Sequence, residues 1–156
     1  MQEGQVHAFS ISSPITLYEL TNQCEVSLAR LGERINAPGL RWETFLALWD
    51  TGATISAISP AVADACGLLP TGLTEVFHIE GSYTAEVYQV NFTLPGGIVF
   101  SNLRVTKAEI PGADILIGMD IISRGDFAIS NQNGGTKFTF RIPSIEDIDF
   151  TTDQHN

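Results

Sequence analysis

The chain has 156 residues, which is the size of one ordinary domain and too short for two domains with separate cores. Hydrophobic residues make up 44% of it, the composition of a folded globular protein and not of a disordered chain. Eight Lys and Arg against 18 Asp and Glu give a net charge of −10, and this negative field repels phosphate backbones, which excludes nucleic acid as the expected partner.

Short apolar segments alternate with Gly and Pro along the chain, a rhythm typical of β-rich folds. Strands are expected to end where glycine permits a positive φ or where proline has no N–H to donate to a neighbouring strand. The predicted strands, in chain order, are Ile15–Leu20, Cys24–Leu31, Trp42–Trp49, Ile55–Ile58, Thr74–Ile79, Tyr83–Leu94, Ile98–Thr106, Ile115–Ile117, Phe127–Ser130 and Lys137–Ile142.

One helix has a clear signature after the fourth predicted strand. Ser59 is the predicted N-cap, Pro60 occupies the first helical position, Ala61–Cys66 form the body and Gly67 ends the helix. A second short helix is predicted over Ile121–Arg124. The chain is therefore expected to be all-β with one or two short helices.

The predicted strand Tyr83–Leu94 changes the face on which its apolar residues lie. They share one face as far as Val87 and the other face from Tyr88 onward. A bulge or bend near Val87–Tyr88 explains the change, with the first part projecting beyond the core as a hairpin whose tip is Glu80-Gly81-Ser82. A continuous strand buried on both faces explains the pattern equally well.

The strongest candidate for chemistry is Asp50, which follows an apolar strand and opens the turn Asp50-Thr51-Gly52-Ala53. A carboxylate here is costly to desolvate unless backbone N–H groups and hydroxyls bind it. Gly52 permits a close approach of the backbone, and Thr51 supplies a hydroxyl. Such a carboxylate is held rigidly yet stays accessible, as general acid/base chemistry requires. Without further support, an Asp that caps an ordinary β-turn would be the better interpretation.

A second motif strengthens the catalytic interpretation. The segment Asp114–Asp120 reads Asp-Ile-Leu-Ile-Gly-Met-Asp. A strand that ends in Asp-Thr-Gly-Ala, followed later by two apolar residues and a Gly before a short helix, resembles the retropepsin-like aspartic peptidases. The resemblance covers about Phe45–Ile129, and from Arg104 to Ser144 the chain is also similar to bacterial proteins of this group.

The resemblance implies a retropepsin-like acid-protease barrel with one lobe per chain. It implies an aspartic endopeptidase that acts on a peptide or protein substrate as a homodimer, with Asp50 paired to Asp50 of a second copy. Asp50, Thr51 and Gly52 would then be catalytic, and Leu116 and Ile117 would support the turn from the core. No metal site and no organic cofactor is implied. The substrate would be bound by Ala53, Glu80, Gly81 and Ser82.

The chain departs from the viral pattern in one respect that bears on the site. Viral members usually carry Arg after the Gly of the second motif, whereas this chain has Met119-Asp120, so no salt bridge from that Arg is expected. The alternative function is a peptide-binding or scaffold module that keeps the fold but cleaves nothing, or only its own precursor. Retention of Asp50, Thr51 and Gly52 together counts against it.

Two other kinds of site find little support in the sequence. His7, His78 and His155 have no metal-ligand spacing to one another or to cysteine. Cys66 and His78 could be imagined as a nucleophile and its base, but Cys66 lies in an apolar helix, where a packed thiol is more typical.

The domain is predicted over residues 23–143, with residues 1–22 as an N-terminal extension of uncertain order. Residues 144–156 contain four Asp or Glu and no Lys or Arg, which predicts a solvated acidic tail.

The cysteine content and the N-terminus favour the cytoplasm. Cys24 and Cys66 could form only one bridge, so the disulfide framework of a secreted protein is missing and a reducing compartment is expected. Met1–Gln5 lack the basic start of a signal sequence, and no apolar run approaches the roughly 18 residues that span a bilayer. No membrane partner is therefore expected.

Overall fold

The computed structural model describes residues 5–30, 32, 34–78 and 81–151, with the side chain of His78 left out. Ten strands and two short α-helices make up the described part, and a single 3-10 turn over Pro95–Gly97 joins β6 to β7. The elements are β1 His7–Ser13, β2 Thr21–Leu28, β3 Glu43–Trp49, β4 Ala57–Ile58, α1 Pro60–Ala65, β5 Gly72–His78, β6 Gly81–Leu94, β7 Ile98–Lys107, β8 Ile115–Ile117, α2 Met119–Ile122, β9 Asp126–Ser130 and β10 Thr136–Ile142.

Six of the strands close into a barrel in the order β2-β3-β8-β4-β7-β6, because β2 also pairs with β6. The seventh strand of this sheet, β5, extends it beyond β6 as one arm of a hairpin. Strand β8 runs parallel to β3 and antiparallel to β4, so it lies between the two strands that flank the Asp50 turn. The barrel interior is filled by apolar side chains, including Val26, Val90 and Ile117.

A second, smaller sheet has the order β1-β10-β9 and packs on the barrel through aromatic rings. Phe138 and Phe140 of β10 are fully buried, and both rings contact Phe9 of β1 and Trp49 of β3. Since β1 belongs to residues 1–22, part of the segment predicted as an N-terminal extension packs on the barrel.

The predicted first strand is wrong. Ile15–Leu20 form bends and coil, with Tyr18 95% exposed, and the first strand is β1, which pairs with β10 at the other end of the chain. From β1 only Phe9 and Ile11 belong to or pack against the core, and their neighbours are Ala8, Ser10 and Ser12, so the local apolar pattern is weak. Pro14 follows directly after β1 and has no N–H to continue the ladder.

The other predicted strands are confirmed, with ends that differ by up to three residues. Helix α1 begins at Pro60 with Ser59 at the N-cap, as predicted, but the hydroxyl of Ser59 makes no cap hydrogen bond and is buried without a partner among the described residues. Helix α2 begins two residues before the predicted start. None of the described helices is long and apolar enough to cross a membrane.

The predicted irregularity in β6 exists, but it lies three residues further on than expected. The register against β7 shifts between Val90 and Phe92. Val87 pairs with both β5 and β7, which lie on opposite edges of β6, and both Val87 and Tyr88 are buried. The first four residues of β6 are exposed, so the β5–β6 hairpin projects beyond the core. Gly81 pairs with His78 at the end of the hairpin, and Glu80 of the predicted tip lies outside the described residues.

Candidate active site

Strand β3 delivers Asp50 to a turn in which the backbone binds the carboxylate. The N–H of Gly52 donates to Oδ1 of Asp50 at 2.8 Å, and the N–H of Ala53 donates to the carbonyl of Asp50 at 3.2 Å. A Cβ on Gly52 would lie 3.1 Å from that Oδ1, so a side chain would crowd the carboxylate. Asp50 is half-buried, whereas Thr51 and Gly52 are exposed. The carboxylate is therefore oriented by the backbone and remains open to solvent.

The second motif lies directly beneath this turn. The N–H of Asp50 donates to the carbonyl of Ile117 at 2.9 Å, which ties the turn to β8. A Cβ on Gly118 would lie 2.9 Å from the carbonyl oxygen of Ala53, so only glycine permits the two loops to approach this closely. Ile117 is fully buried and Leu116 is half-buried between β3 and β4. Ile117 supports the turn from the core, as predicted, whereas Leu116 is outside the core cluster and Ile115, 2% exposed, belongs to it instead.

Two polar residues near the turn were missed by the sequence analysis. Oδ1 of Asp120 accepts hydrogen bonds from the backbone N–H of Ser56 at 3.0 Å and from its hydroxyl at 2.7 Å. The sequence contains one indication only: the acidic Asp120 follows Met119, in a region where viral relatives carry an arginine. Nothing local identifies Ser56, because it lies 64 residues earlier in the chain.

The hairpin of β5 and β6 presents exposed apolar side chains. Phe77 is 76% exposed and Leu73 71% exposed, on the same face of β5. Gly81 has φ +138°, a conformation that side chains rarely adopt, and the hydroxyl of Ser82 donates to Oε1 of Glu75 at 2.6 Å. Gly81 and Ser82 lie in a different element from the Asp50 turn, and the hydrogen bonds of the described residues do not link the two.

The base of this hairpin is held by a charged group. Glu86 of β6 forms an ion pair with Lys107 of β7 and accepts a hydrogen bond of 2.8 Å from the hydroxyl of Tyr88. The hydrogen bond from Lys107 lowers the pKa of the Glu86 carboxyl. An open groove of about 460 Å³ lies beside this pair, lined by Pro60, Tyr83, Lys107, Ala108 and Glu109.

The cysteines do not have the character of nucleophiles. Burial raises the pKa of the Cys24 thiol strongly, and burial with the nearby Glu43 carboxylate raises the pKa of Cys66 to about 11. The thiol of Cys66 donates to the carbonyl of Val26 at 3.6 Å. A thiolate is the reactive form of cysteine, and little of it exists at neutral pH in either residue. The side chain of His78, the proposed base, lies outside the described residues, as does His155.

One known protein family matches the segment of the chain that contains this site. A family model described as "gag-polyprotein putative aspartyl protease" matches residues 42–124, which is more than half of the chain. The matched segment contains both the Asp50 turn and the motif around Gly118. No curated protein sequence matches the chain.

Solved structures of similar fold include a retropepsin-like aspartic protease from Rickettsia conorii, with a TM-score of 0.54 and 13% identity, over 88% of this chain and 95% of that one. The retroviral protease-like domain of Ddi1 from Leishmania major has a TM-score of 0.40 and 21% identity, over 79% and 94% of the two chains. The simian foamy virus (mac) protease has a TM-score of 0.40 and 19% identity, over 65% and 92%. The Rickettsia structure confirms the predicted all-β, retropepsin-like barrel.

Proposed function

This chain belongs to the retropepsin-like aspartic protease family, and from that membership we propose that it is an aspartic endopeptidase, a hydrolase of peptide bonds. The observation that carries the proposal is the donation of the Gly52 N–H to Oδ1 of Asp50 in a half-buried, solvent-accessible turn. This bond fixes the orientation of a carboxylate that water and a peptide can still reach, as general acid/base catalysis requires.

In this mechanism two carboxylates act on one water molecule. One Asp50 carboxylate takes a proton from water, and the resulting oxygen nucleophile attacks the scissile carbonyl. The other Asp50, in its protonated form, donates its proton to the carbonyl oxygen. The first Asp50, now protonated, gives its proton to the amide nitrogen, and the second takes a proton back from a hydroxyl of the tetrahedral intermediate. The C–N bond then breaks, the amine leaves, the pair again holds one proton, and no covalent acyl-enzyme forms.

The mechanism requires a homodimer. The sequence contains one Asp-Thr-Gly, so the second carboxylate must come from Asp50 of another copy. The exposed Thr51 would fix the pair through hydrogen bonds across the subunit boundary, and Gly52 would keep both carboxylates in orientation. Sedimentation should therefore show a dimer at the protein concentrations at which peptides are cleaved. A monomer that cleaves would contradict the paired mechanism.

The substrate would lie between the Asp50 turn and the projecting hairpin. Ala53 would contact the peptide from the turn, while Glu80, Gly81 and Ser82 would close over it as a flap and donate backbone hydrogen bonds. The exposure of the first residues of β6 supports this assignment, because such a hairpin end opens at low free-energy cost.

The cellular compartment, the lineage and the domain bounds are proposed from other observations. Cys24 and Cys66 are both free, which fits a reducing compartment such as the cytoplasm. The similarity to the Rickettsia protein over most of both chains supports a bacterial-type member. We place the protease domain at residues 23–143, with an N-terminal segment, 1–22, whose strand β1 packs on it, and an acidic tail, 144–156.

A peptide-library cleavage assay tests the proposed activity. We expect the wild-type protein to cut a subset of peptides and Asp50→Asn to cut none. Asp64→Asn is the matched control, because Asp64 is an exposed carboxylate on α1, and it should cut as the wild type does. If neither the wild type nor Asp50→Asn cleaves any peptide while both bind peptides, the protein is a binding or scaffold module instead.

A further inference from the structure

The carboxylate of Asp120 is bound by three donors in the structure. Its Oδ1 accepts from the backbone N–H of Ser56 at 3.0 Å, from the hydroxyl of Ser56 at 2.7 Å and from the N–H of Ile121 at 3.1 Å. Ser56 is 1% exposed, so both of its donors would lack water if this acceptor were removed. The carboxylate is therefore the acceptor for both donors of a buried serine, whereas the N–H of Ile121 also donates to the carbonyl of Gly118 at 3.1 Å.

The hydroxyl of Ser56 has a second function in the same place. Its oxygen accepts a hydrogen bond of 3.0 Å from the N–H of Gly118 while its proton is donated to Asp120. Backbone bonds run beside it, from Met119 to the carbonyl of Ala53 at 2.8 Å and from Asp120 to the carbonyl of Thr54 at 3.2 Å. Residues 53–56 are thus joined to residues 118–120 at several points.

This junction begins where the Asp50 turn ends. The N–H of Asp50 is bound to the carbonyl of Ile117, and the turn leaves through Ala53, whose carbonyl is bound to Met119. Both ends of the turn are therefore held by one segment, residues 117–120. The backbone of that segment is in turn fixed to Ser56 by the Asp120 carboxylate.

Among the described residues, no Lys or Arg side chain is seen to join residues 53–56 to residues 118–120. Arg124 follows α2, but its Nε donates to the backbone carbonyl of Asp120 at 2.8 Å, and its guanidinium lies over the ring of Phe100. The two loops are joined by the Asp120 carboxylate, which accepts hydrogen bonds from N–H and O–H donors.

We propose that Asp120, acting through Ser56, is a positioning residue that holds the Asp50 turn in its catalytic geometry. The inference rests on the proposed function, because it takes Asp50 to be the reacting group. Its physical basis is that catalytic groups tolerate little displacement. If the Asp50 turn is released at one end, the rate of cleavage falls, although every residue of the turn is still present.

Steady-state kinetics of three variants test the proposal. Asp120→Ala and Ser56→Ala should each lower kcat by about 100-fold, the loss expected from a displacement of about 1 Å, while KM changes by less than about twofold. Asp120→Asn keeps an oxygen acceptor for Ser56 and should retain most of the rate. The double variant Ser56→Ala/Asp120→Ala should be no slower than either single variant by more than a few-fold, because both remove the same junction. Asp64→Ala is the control and should leave kcat and KM unchanged.

Hydrogen exchange separates this inference from the proposed activity. Amides of residues 50–56 should exchange faster in Asp120→Ala than in the wild type and should be unaffected in Asp64→Ala. If the wild type cleaves no peptide but this difference in exchange is seen, the proposed function fails. The role of Asp120 in holding the Asp50 turn is then still supported.

Several results would overturn the inference. One is a wild type that cleaves together with an Asp120→Ala variant that has the same kcat. Another is a loss of activity in proportion to the fraction of unfolded protein, with kcat per folded molecule unchanged. Should Asp120→Ala fail to fold, the kcat of Ser56→Ala decides the question, since this variant lacks only one hydroxyl. An unchanged kcat in Ser56→Ala would then refute the proposal.

Discussion

The indole ring of Trp49 stacks on the ring of Phe127, with centroids 4.9 Å apart and planes inclined by 10°. Trp49 directly precedes Asp50 at the end of β3, and Phe127 belongs to β9 in the second sheet. The indole N–H is fixed as well, since it donates to Oδ1 of Asn22 at 2.6 Å. The second sheet therefore packs against the residue next to the proposed catalytic carboxylate.

Phe127→Ala should lower the free energy of unfolding by about 2 kcal/mol, because it removes a half-buried ring and with it the stack on Trp49. Urea unfolding followed by tryptophan fluorescence measures this change. Phe150→Ala is the control: Phe150 is 72% exposed, and its loss should change the free energy by less than about 0.5 kcal/mol. Equal effects of the two variants would show that the stack contributes nothing.

The carboxylate of Asp126 should make stability depend on pH in the acid range. Hydrogen bonds from the Ser144 hydroxyl, the Arg141 guanidinium and the N–H of Ile145 lower the pKa of Asp126 from 3.8 to about 2. Because the pKa is depressed in the folded state, the stabilisation is fully present above about pH 4 and is lost as the pH falls towards 2. Asp126→Asn should therefore melt at a lower temperature than the wild type at pH 6.

The difference in melting temperature between the wild type and Asp126→Asn should shrink below pH 4. Thermal unfolding measured at intervals from pH 2 to pH 7 tests this. Asp147→Asn is the control, because Asp147 is an exposed residue of the tail, and its substitution should leave the melting temperature unchanged throughout. A difference for Asp126→Asn that persists undiminished at pH 2 would contradict the assignment.

Gly81→Val should strongly lower cleavage by distorting the end of the proposed flap, since φ +138° is unfavourable for a β-branched residue. The melting temperature should fall by less than about 2 °C, because the site is exposed and no atom lies within 4 Å of the added Cβ. Gly134→Val is a matched control, with φ +78° in the exposed turn between β9 and β10, and should cleave normally. Unfolding of Gly81→Val would mean that the flap assignment is wrong.

Cleavage should be fastest at mildly acidic pH and decline towards neutral and alkaline pH. The proposed pair works with one carboxylate ionised, to take a proton from water, and the other protonated, to donate to the substrate. The mechanism needs that proton, and loss of it stops donation to the substrate carbonyl. The pH profile of kcat/KM measures this dependence. A rate that still rises through about pH 8 would indicate a different chemistry.

The two sequence motifs and α1 could be predicted because their signals are local. In Asp50-Thr51-Gly52-Ala53 the sequence places a carboxylate two residues before a glycine, which lets the backbone approach closely. In the structure the N–H of Gly52 donates to Oδ1 of Asp50 at 2.8 Å. Pro60 likewise marks the start of α1 by its own geometry. Signals of this kind depend on neighbours a few residues apart, which the chain presents in every conformation.

Tertiary structure alone decided the relationships between distant segments. Strand β1 exists because His7–Ser13 find β10 near the other end of the chain, and its own pattern is too weak to reveal it. The Ser56–Asp120 hydrogen bond and the stack of Trp49 on Phe127 also join residues far apart in sequence. A hydrogen bond or ring contact has no local signature, since its energy depends on a partner that only the closed barrel brings within reach.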